Sequence, residues 1–139
     1  MTKNPAWENA YLEGLEFEWK FFYSKEDMNS FGKLIKDKNP LHTDSEFAKN
    51  KGFEGSVVYG LLIASQTSRL IGEELPDKNS ILTGLTIDFF QPSYIDQNLT
   101  FKAKLIFKSD STKALEFKYR ILNKDKLLCK GKVKSIWKE

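Results

Sequence analysis

The sequence predicts an α+β fold in which an antiparallel β-sheet with one apolar face is covered by a single long helix. The chain has 139 residues, a length suited to one domain with its own core. Apolar and polar residues alternate in five separate segments, which is typical of strands with one buried face. One further segment, residues 57–75, is apolar around most of its circumference, as expected for a buried helix. We therefore expect one domain over residues 1–139.

The five alternating segments carry aromatic or branched residues at every second position. The predicted inward sets are Phe17, Trp19, Phe21 and Tyr23; Ile81, Thr83, Leu85, Ile87 and Phe89; Phe101, Ala103, Leu105 and Phe107; Leu115, Phe117, Tyr119 and Ile121; and Leu127, Cys129, Val133 and Trp137. Lysines fill many of the opposite positions, and we expect them to form a solvated outer face, a polyanion-binding patch being the alternative. Cys129 belongs to an inward set, so we expect a buried side chain and not a nucleophile.

Two shorter helices are predicted before the central one. Ser24 and Asp27 have the S-x-x-D spacing of a capping box, which predicts a helix over residues 25–36. Thr43 and Glu46 have the related T-x-x-E spacing, which predicts the start of another short helix. The segment between the two boxes is therefore expected to be a turn.

Composition excludes several classes of function. A net charge of +3 and a pI of about 8.8 do not give the dense positive field of a nucleic-acid-binding protein. One His and one Cys are too few for an ordinary zinc site, and a lone Cys cannot form an internal disulfide. The apolar runs are too short to span a bilayer, and the first residues lack the pattern of a signal peptide. We expect a cytoplasmic protein without membrane or nucleic-acid partners and without a metal.

The candidate chemistry lies between the two short helices. Asp37, Asn39 and His42 fall within six residues, on a loop that Pro40 makes rigid. A carboxylate and an imidazole on one turn can hold a water molecule between them, one group taking a proton while the other supplies one. On spacing alone, a hydrogen bond within the loop is the more common reason for a solitary His beside an Asp.

The same residues resemble a known signature. The stretch D-K-N-P-L-H-T-D-S-E-F-A, residues 37–48, is similar to the pattern D-x-N-P-L-H-x-D-x-x-x-A of the MaoC-like, (R)-specific enoyl-CoA hydratase family. The stretch G-S-V-V-Y-G-L-L-I-A-S-Q-T-S, residues 55–68, follows at the family's distance and resembles the segment that leads into its long helix. The similarity extends over residues 23–108, with motif, order and structural context in agreement.

The resemblance implies the hotdog fold, in which an antiparallel sheet wraps around a long central helix. It also implies a hydro-lyase of fatty acid metabolism that adds water to a trans-2-enoyl thioester with (R) stereochemistry, or performs the reverse dehydration of a 3-hydroxyacyl thioester. The substrate would be carried by coenzyme A or by an acyl carrier protein. No separate cofactor is implied, because coenzyme A or phosphopantetheine is part of the substrate. The expected assembly is a homodimer or a higher oligomer.

The resemblance also assigns roles to residues. Asp37 and His42 become the pair that activates water, and the amide of Gly60 donates to the thioester carbonyl. Ser68 takes the place of a supporting serine. Asn39 either orients one member of the pair or forms a turn before Pro40.

The chain departs from the family pattern at two places, and two other functions stay open. Ile35-Lys36 stands where the family usually has Ser-Gly before its Asp, and Tyr59 stands where it commonly has His. One alternative is a hotdog thioesterase, which would use a carboxylate on the central helix such as Glu73 or Glu74. The other is a non-catalytic subunit that binds acyl thioesters beside an active partner.

Overall fold

The computed structural model describes residues 6–139 of the chain. The strands within these residues are β1 (Glu16–Phe21), β2 (Ser80–Leu85), β3 (Asp88–Phe89), β4 (Leu99–Lys108), β5 (Ala114–Asn123) and β6 (Lys126–Trp137). The helices are α1 (Lys25–Ile35), α2 (Pro40–Thr43), α3 (Ser45–Asn50), α4 (Gly60–Ala64) and α5 (Gln66–Arg69), with π-helical turns at Ala6–Ala10 and Leu70–Glu74. The first five residues of the predicted domain 1–139 lie outside the described part, and that domain boundary stays a prediction.

One antiparallel sheet contains all of these strands. Its order is β1-β4-β5-β6-β2, and the short β3 also pairs with β6. The two long central pairings join β4 to β5 and β5 to β6. The predicted antiparallel sheet is confirmed, and its inner face forms the core together with the helix that crosses it.

The central helix consists of α4, α5 and the π-helical turn Leu70–Glu74. Its buried side includes Ile63 and Leu70, which are 2% and 0% exposed. The predicted start at residue 57 is wrong, because Val57 forms a β-bridge with Tyr94 and leaves the helix to begin at Gly60. The helix ends before Pro76, since the residue that precedes a proline is driven into extended geometry.

The segment between β1 and the central helix folds as three helices. Ser24 and Asp27 form both bonds of the predicted capping box at the start of α1, which confirms that prediction. The predicted box at Thr43 is wrong, because Thr43 is the last residue of α2. Asp44 caps α3 instead, and its side chain accepts a hydrogen bond from the amide of Phe47 at 3.1 Å.

The alternating pattern correctly predicts the buried face of β1, β4, β5 and most of β6. Phe101, Phe117 and Val133 are 0% exposed, and Cys129 is 2% exposed. The prediction for Phe107 is wrong: this ring is 48% exposed. The register of β4 against β5 shifts between Leu105 and Phe107, which turns the end of β4 away from the core.

The edge formed by β2 and β3 differs most from the prediction. Ile81, Leu85 and Phe89 were expected to face inward but are 56%, 41% and 51% exposed. The single predicted strand is also divided, because the amide of Thr86 bonds the Lys132 carbonyl while its own carbonyl accepts from the Tyr119 hydroxyl. The result is a bent edge with apolar side chains on its surface.

The outer face of the sheet is charged, as predicted. Its central rows on β4, β5 and β6 contain Lys102, Lys104, Lys118, Arg120, Lys130 and Lys132. Acidic residues compensate part of this charge: Lys102 pairs with Glu18 at 3.4 Å, and Lys132 pairs with Glu116 at 3.6 Å. Among residues 6–139, no helix has the length and apolar character needed to cross a membrane.

Asp77 joins the two ends of the chain to the loop after the central helix. Its carboxylate accepts hydrogen bonds from the Tyr11 hydroxyl at 3.1 Å and from the Trp137 indole at 3.0 Å. It also accepts from the amide of Asn79 at 3.0 Å. Because Tyr11 is 0% exposed and Trp137 is 5% exposed, water cannot replace this carboxylate easily.

We expect Asp77→Ala to lower the free energy of unfolding by about 2–4 kcal/mol, since it leaves two buried donors without an acceptor. Urea denaturation followed by fluorescence measures the change. The matched control is Asp110→Ala, because Asp110 also accepts from an indole, that of Trp7 at 2.9 Å. The Trp7 indole is also buried, at 3% exposed, but this variant leaves one buried donor without an acceptor where Asp77→Ala leaves two, so the loss should be about half as large, roughly 1–2 kcal/mol. Equal losses for the two variants would contradict the prediction.

Candidate active site

The loop that carries the candidate residues is ordered by its own side chains. The Asp37 carboxylate accepts from the amide of Asn39 at 3.0 Å, and the Asn39 side chain accepts from the amide of Leu41 at 2.9 Å. Asn39 is therefore the N-cap of α2, with Pro40 in the first helical position that suits proline. The expected turn thus contains a short helix, and His42 lies on it.

His42 is held by the chain just before the central helix. Its Nδ1 lies 2.7 Å from the carbonyl oxygen of Val57, and the amide of Val57 donates to the Leu41 carbonyl at 3.0 Å. A carbonyl oxygen can only accept, so Nδ1 must carry the proton. In the neutral ring Nε2 is then unprotonated and free to accept a proton, which is the state that a general base needs.

Tyr59 contacts both members of the predicted pair. Its ring stacks on the His42 ring with centroids 4.0 Å apart, and its hydroxyl donates to the main-chain carbonyl of Asp37 at 2.6 Å. Burial, and then the negative charge of Asp37, raise the pKa of the Tyr59 phenol. The sequence marked Tyr59 only as a departure from the family pattern, and no spacing rule could have predicted these contacts.

An apolar cavity of about 290 Å³ brings His42 and Gly60 together. Its other lining residues are Phe53, Val57, Val58, Ile63, Phe89, Phe90, Gln91, Pro92, Ser93 and Cys129. Burial raises the pKa of the Cys129 thiol to about 11, so this group is inert at neutral pH, as predicted. His42 also borders a more polar cavity of about 440 Å³ that Asn29, Thr43, Ser56 and Tyr94 help to line.

Phe89 covers Gly60 in the apolar cavity. A Cβ atom on Gly60 would lie 2.9 Å from Cζ of the Phe89 ring, closer than real Cβ contacts. The glycine therefore makes room for an aromatic ring of the β3 edge. No local pattern predicts this contact, because the alternation places Phe89 on the core face of a continuous strand.

The other predicted site residues lie further from the cavity. Asp37 is half-buried and lines neither of the two cavities that His42 borders; Tyr59 connects it to His42. Ser68 is exposed, eight residues beyond Gly60 on the central helix, or about 12 Å along its axis. Glu73 and Glu74 lie at the far end of that helix, where they pair with Lys78 at 3.2 Å and Arg69 at 3.0 Å.

Comparison with known proteins assigns this architecture. A family model described as the MaoC like domain matches residues 8–123, which is most of the chain. The chain belongs to the MaoC-like domain family. Because this family is the one that the D-x-N-P-L-H motif resembles, the predicted membership is confirmed.

The relatives of this MaoC-like domain include named enzymes. It is 39% identical over 74 residues to an (R)-specific enoyl-CoA hydratase from Aeromonas caviae, an alignment that covers 53% of the chain and 55% of that protein. It is 38% identical over 77 residues to a mitochondrial 3-hydroxyacyl-[acyl-carrier-protein] dehydratase from Solanum lycopersicum, covering 55% of the chain and 46% of that protein. The chain thus spans about half the length of the curated relatives it matches.

The solved structure of the (R)-hydratase from A. caviae involved in PHA biosynthesis superimposes with a TM-score of 0.87. The sequence identity is 26%, and the match covers 93% of this chain and 98% of that chain. The hotdog fold that the resemblance implied, with its sheet around a central helix, is confirmed.

In this MaoC-like domain, two glycines of the central helix should respond differently to alanine. Gly72→Ala should raise the free energy of unfolding by about 0.5–1 kcal/mol, because nothing lies within 4 Å of the added methyl and alanine restricts the unfolded chain. Gly60→Ala should give no such gain, since its methyl displaces the Phe89 ring. Urea denaturation measures both changes, and equal gains would show that the Phe89 contact does not constrain Gly60.

Proposed function

We propose that this protein adds water to trans-2-enoyl thioesters with (R) stereochemistry, or removes it from 3-hydroxyacyl thioesters in the reverse reaction. The observation that carries the proposal is His42, whose Nδ1 bond to the Val57 carbonyl leaves Nε2 free beside an apolar cavity that also holds Gly60. The hydratases and dehydratases named among the relatives support the same reaction class.

Asp37 and His42 would hold the reacting water. The Asp37 carboxylate and the unprotonated Nε2 of His42 are both acceptors, so one water can donate a hydrogen to each and direct its oxygen lone pair at C3 of the substrate. The Tyr59 hydroxyl restrains the Asp37 main chain, and the Val57 carbonyl restrains the His42 ring, which supports this arrangement. Asn39 supports this arrangement by capping α2 and bonding the Asp37 carboxylate.

Gly60 would bind the thioester carbonyl. Its N–H is the first of the central helix, where helix geometry provides no partner within the helix. Addition at C3 moves negative charge onto the thioester oxygen, and a preorganised donor aimed at that oxygen contributes a few kcal/mol, on the order of 3, to lowering the barrier. The glycine also admits the Phe89 ring, which lines the same cavity.

The reaction then balances without another proton carrier. Nε2 of His42 takes a proton from the water as its oxygen bonds to C3, and the C2–C3 π electrons move toward the thioester carbonyl. The imidazolium next returns a proton to C2, which restores the neutral ring. Delivery of oxygen and hydrogen from one side gives syn addition. The Asp37 carboxylate orients the water and stabilises the imidazolium.

The part of the cavity that one chain forms would hold a short stretch of the acyl chain, before the second copy proposed below completes it. At about 290 Å³ it is at the lower end of the roughly 300–1,000 Å³ of ordinary ligand pockets. Its lining of Phe, Val and Ile side chains suits a hydrocarbon chain. The carrier, coenzyme A or the phosphopantetheine of an acyl carrier protein, belongs to the substrate, and the proposed reaction requires no further cofactor.

The purified protein is expected to hydrate crotonyl-CoA or a longer trans-2-enoyl-CoA, measured as loss of enoyl absorbance. Asp37→Asn and His42→Ala should each lower kcat by at least about a hundredfold while circular dichroism stays unchanged. The matched control is Asp44→Asn in the same segment, which should keep full activity because asparagine caps α3 as well as aspartate does.

Three results would contradict the proposal. Turnover that survives His42→Ala would exclude the mechanism, since the chain has no second histidine. Binding of acyl thioesters without turnover, across chain lengths and both carriers, would favour a non-catalytic subunit. Release of free thiol that persists in Asp37→Asn would favour a thioesterase.

We also propose that a second copy of the chain covers the apolar edge of the sheet. The exposed apolar residues of this region are Leu61, Ile81, Leu82, Leu85, Phe89 and Phe90. Within the described residues β2 pairs on one side only, with β6, and an uncovered apolar edge strand would promote aggregation. Ser68 follows Leu61 by seven residues on the same exposed side of the helix. A second copy seated there would cover Ser68 together with Leu61 and would complete the cavity beside Phe89.

Light scattering is expected to give twice the mass of the chain at micromolar concentration. Ile81→Asp should yield a folded monomer, because it places a charge in the proposed interface. Leu34→Asp is the control, since Leu34 is 79% exposed but lies on α1, away from this edge. A wild-type monomer, or an Ile81→Asp variant that remains dimeric, would exclude this interface.

A further inference from the structure

Tyr59 lies between the two residues of the proposed catalytic pair, Asp37 and His42. Its side chain is 3% exposed and lies between α1, the Asp37 loop and His42. The ring packs against Phe31 of α1 with centroids 5.2 Å apart and stacks on His42 at 4.0 Å. The hydroxyl donates to the Asp37 carbonyl at 2.6 Å. One rigid side chain thus contacts the main chain of Asp37 and the ring of His42.

We propose that Tyr59 is a positioning residue of the site, which fixes the distance and orientation between the Asp37 carboxylate and the His42 imidazole. The inference rests on the proposed hydration reaction and adds to it a residue outside the signature. Tyr59 does not touch the reacting atoms. It acts through the Asp37 main chain on one side and through the His42 ring on the other.

The main chain at Asp37 has few other restraints. Its amide donates to the Gly32 carbonyl at 3.1 Å, which ties it to the end of α1. Its carbonyl is held by the Tyr59 hydroxyl alone among the hydrogen bonds of the described residues. Lys38 and Asn39 are exposed, so packing does not hold the loop after Asp37. The remaining link to α2 is the exposed bond from the Asn39 amide to the Asp37 carboxylate at 3.0 Å, so loss of the buried Tyr59 bond loosens Asp37 relative to His42.

Gly32 provides independent evidence that the contact constrains the sequence. A Cβ atom at this buried position of α1 would overlap the Tyr59 hydroxyl and would lie 3.1 Å from both the Tyr59 ring carbon and the Asp37 carbonyl. Glycine in the interior of a helix is unfavourable by about 0.5–1 kcal/mol relative to alanine. Its presence here leaves the space that the hydroxyl needs to reach Asp37.

The hydroxyl is suited to a fixed contact. The raised pKa of the phenol keeps it protonated at neutral and moderately alkaline pH, so it remains a donor throughout the range in which activity is measured. A tyrosine that only positions should therefore scale turnover by the same factor at every pH. A tyrosine that exchanged protons with the substrate would remove one limb of the pH profile.

The test compares two tyrosines that make the same kind of bond. Tyr119 is 2% exposed, and its hydroxyl donates to the Thr86 carbonyl at 2.7 Å, outside the site. Tyr59→Phe and Tyr119→Phe each delete one such bond and should lower Tm by similar amounts, about 2–8 °C. Only Tyr59→Phe should lower kcat, by about ten- to a hundredfold, with KM within about twofold of wild type and the limbs of the pH profile unmoved.

A second variant acts on the same contact from the other side. Gly32→Ala should displace the hydroxyl and lower kcat, and combining it with Tyr59→Phe should cost less than the two separate losses together, because the hydroxyl is the nearest atom that the methyl meets. Additive losses would show that the two residues act separately and would overturn the proposal. An unchanged kcat in Tyr59→Phe, or a change confined to KM, would also overturn it.

Hydrogen exchange at the Asp37 amide separates this inference from the proposed function. Exchange should be at least about tenfold faster in Tyr59→Phe than in Tyr119→Phe, because the Asp37 loop opens more often. If the wild type hydrates no enoyl thioester, the proposed function fails and the exchange rates still report whether Tyr59 holds Asp37. Equal exchange in the two variants would show that it does not.

Discussion

The extended chain at Val57 and Val58 is the constraint on which the rest of the site depends. Val57 bonds α2 through both its amide and its carbonyl, and Val58 donates to the Ser93 carbonyl at 2.9 Å. These bonds join the segment that carries His42, the loop before β4 and the start of the central helix. They also determine where the helix begins, because a residue paired in extended geometry cannot be helical. Gly60 and His42 meet at one cavity because this short stretch brings them there.

Much of the fold could be predicted because burial imposes a period on the sequence. Strands β4 and β5 lie across the core, so alternate side chains are buried and the pattern is clear. The alternating pattern does not predict burial at a register shift or at the edge of the sheet. A register shift turns Phe107 outward, and at the sheet edge the side chain of Ile81 is 56% exposed within the described residues. Neither a bulge nor an edge position leaves a trace in local hydrophobicity.

The site also contains residues that the sequence predicts and contacts that it does not predict. Asp37 and His42 could be found because their spacing lies within a contiguous motif. The contacts of Tyr59 with them, and of Phe89 with Gly60, join residues that are separated by 17 to 29 positions in the sequence. Such contacts depend on how α1 and β3 pack against the helix start, which no local pattern records. The predicted N-cap of α3 was one residue too early. Thr43 is the last residue of α2, so Asp44 caps α3.

Lys36 shows what the departure from the family's Ser-Gly does to this chain. It ends α1 with φ of 61°, the left-handed region that glycine enters freely and that other residues enter at a penalty of about 1–2 kcal/mol. A glycine would remove that penalty but would also gain more freedom in the unfolded chain, by about 0.4–1 kcal/mol. On balance glycine would be the more stable by roughly 1 kcal/mol. Lysine and glycine at position 36 also differ in how many backbone conformations they can adopt. Lysine can adopt fewer, which restricts the main chain next to the Asp37 carboxylate, a group that must stay in place.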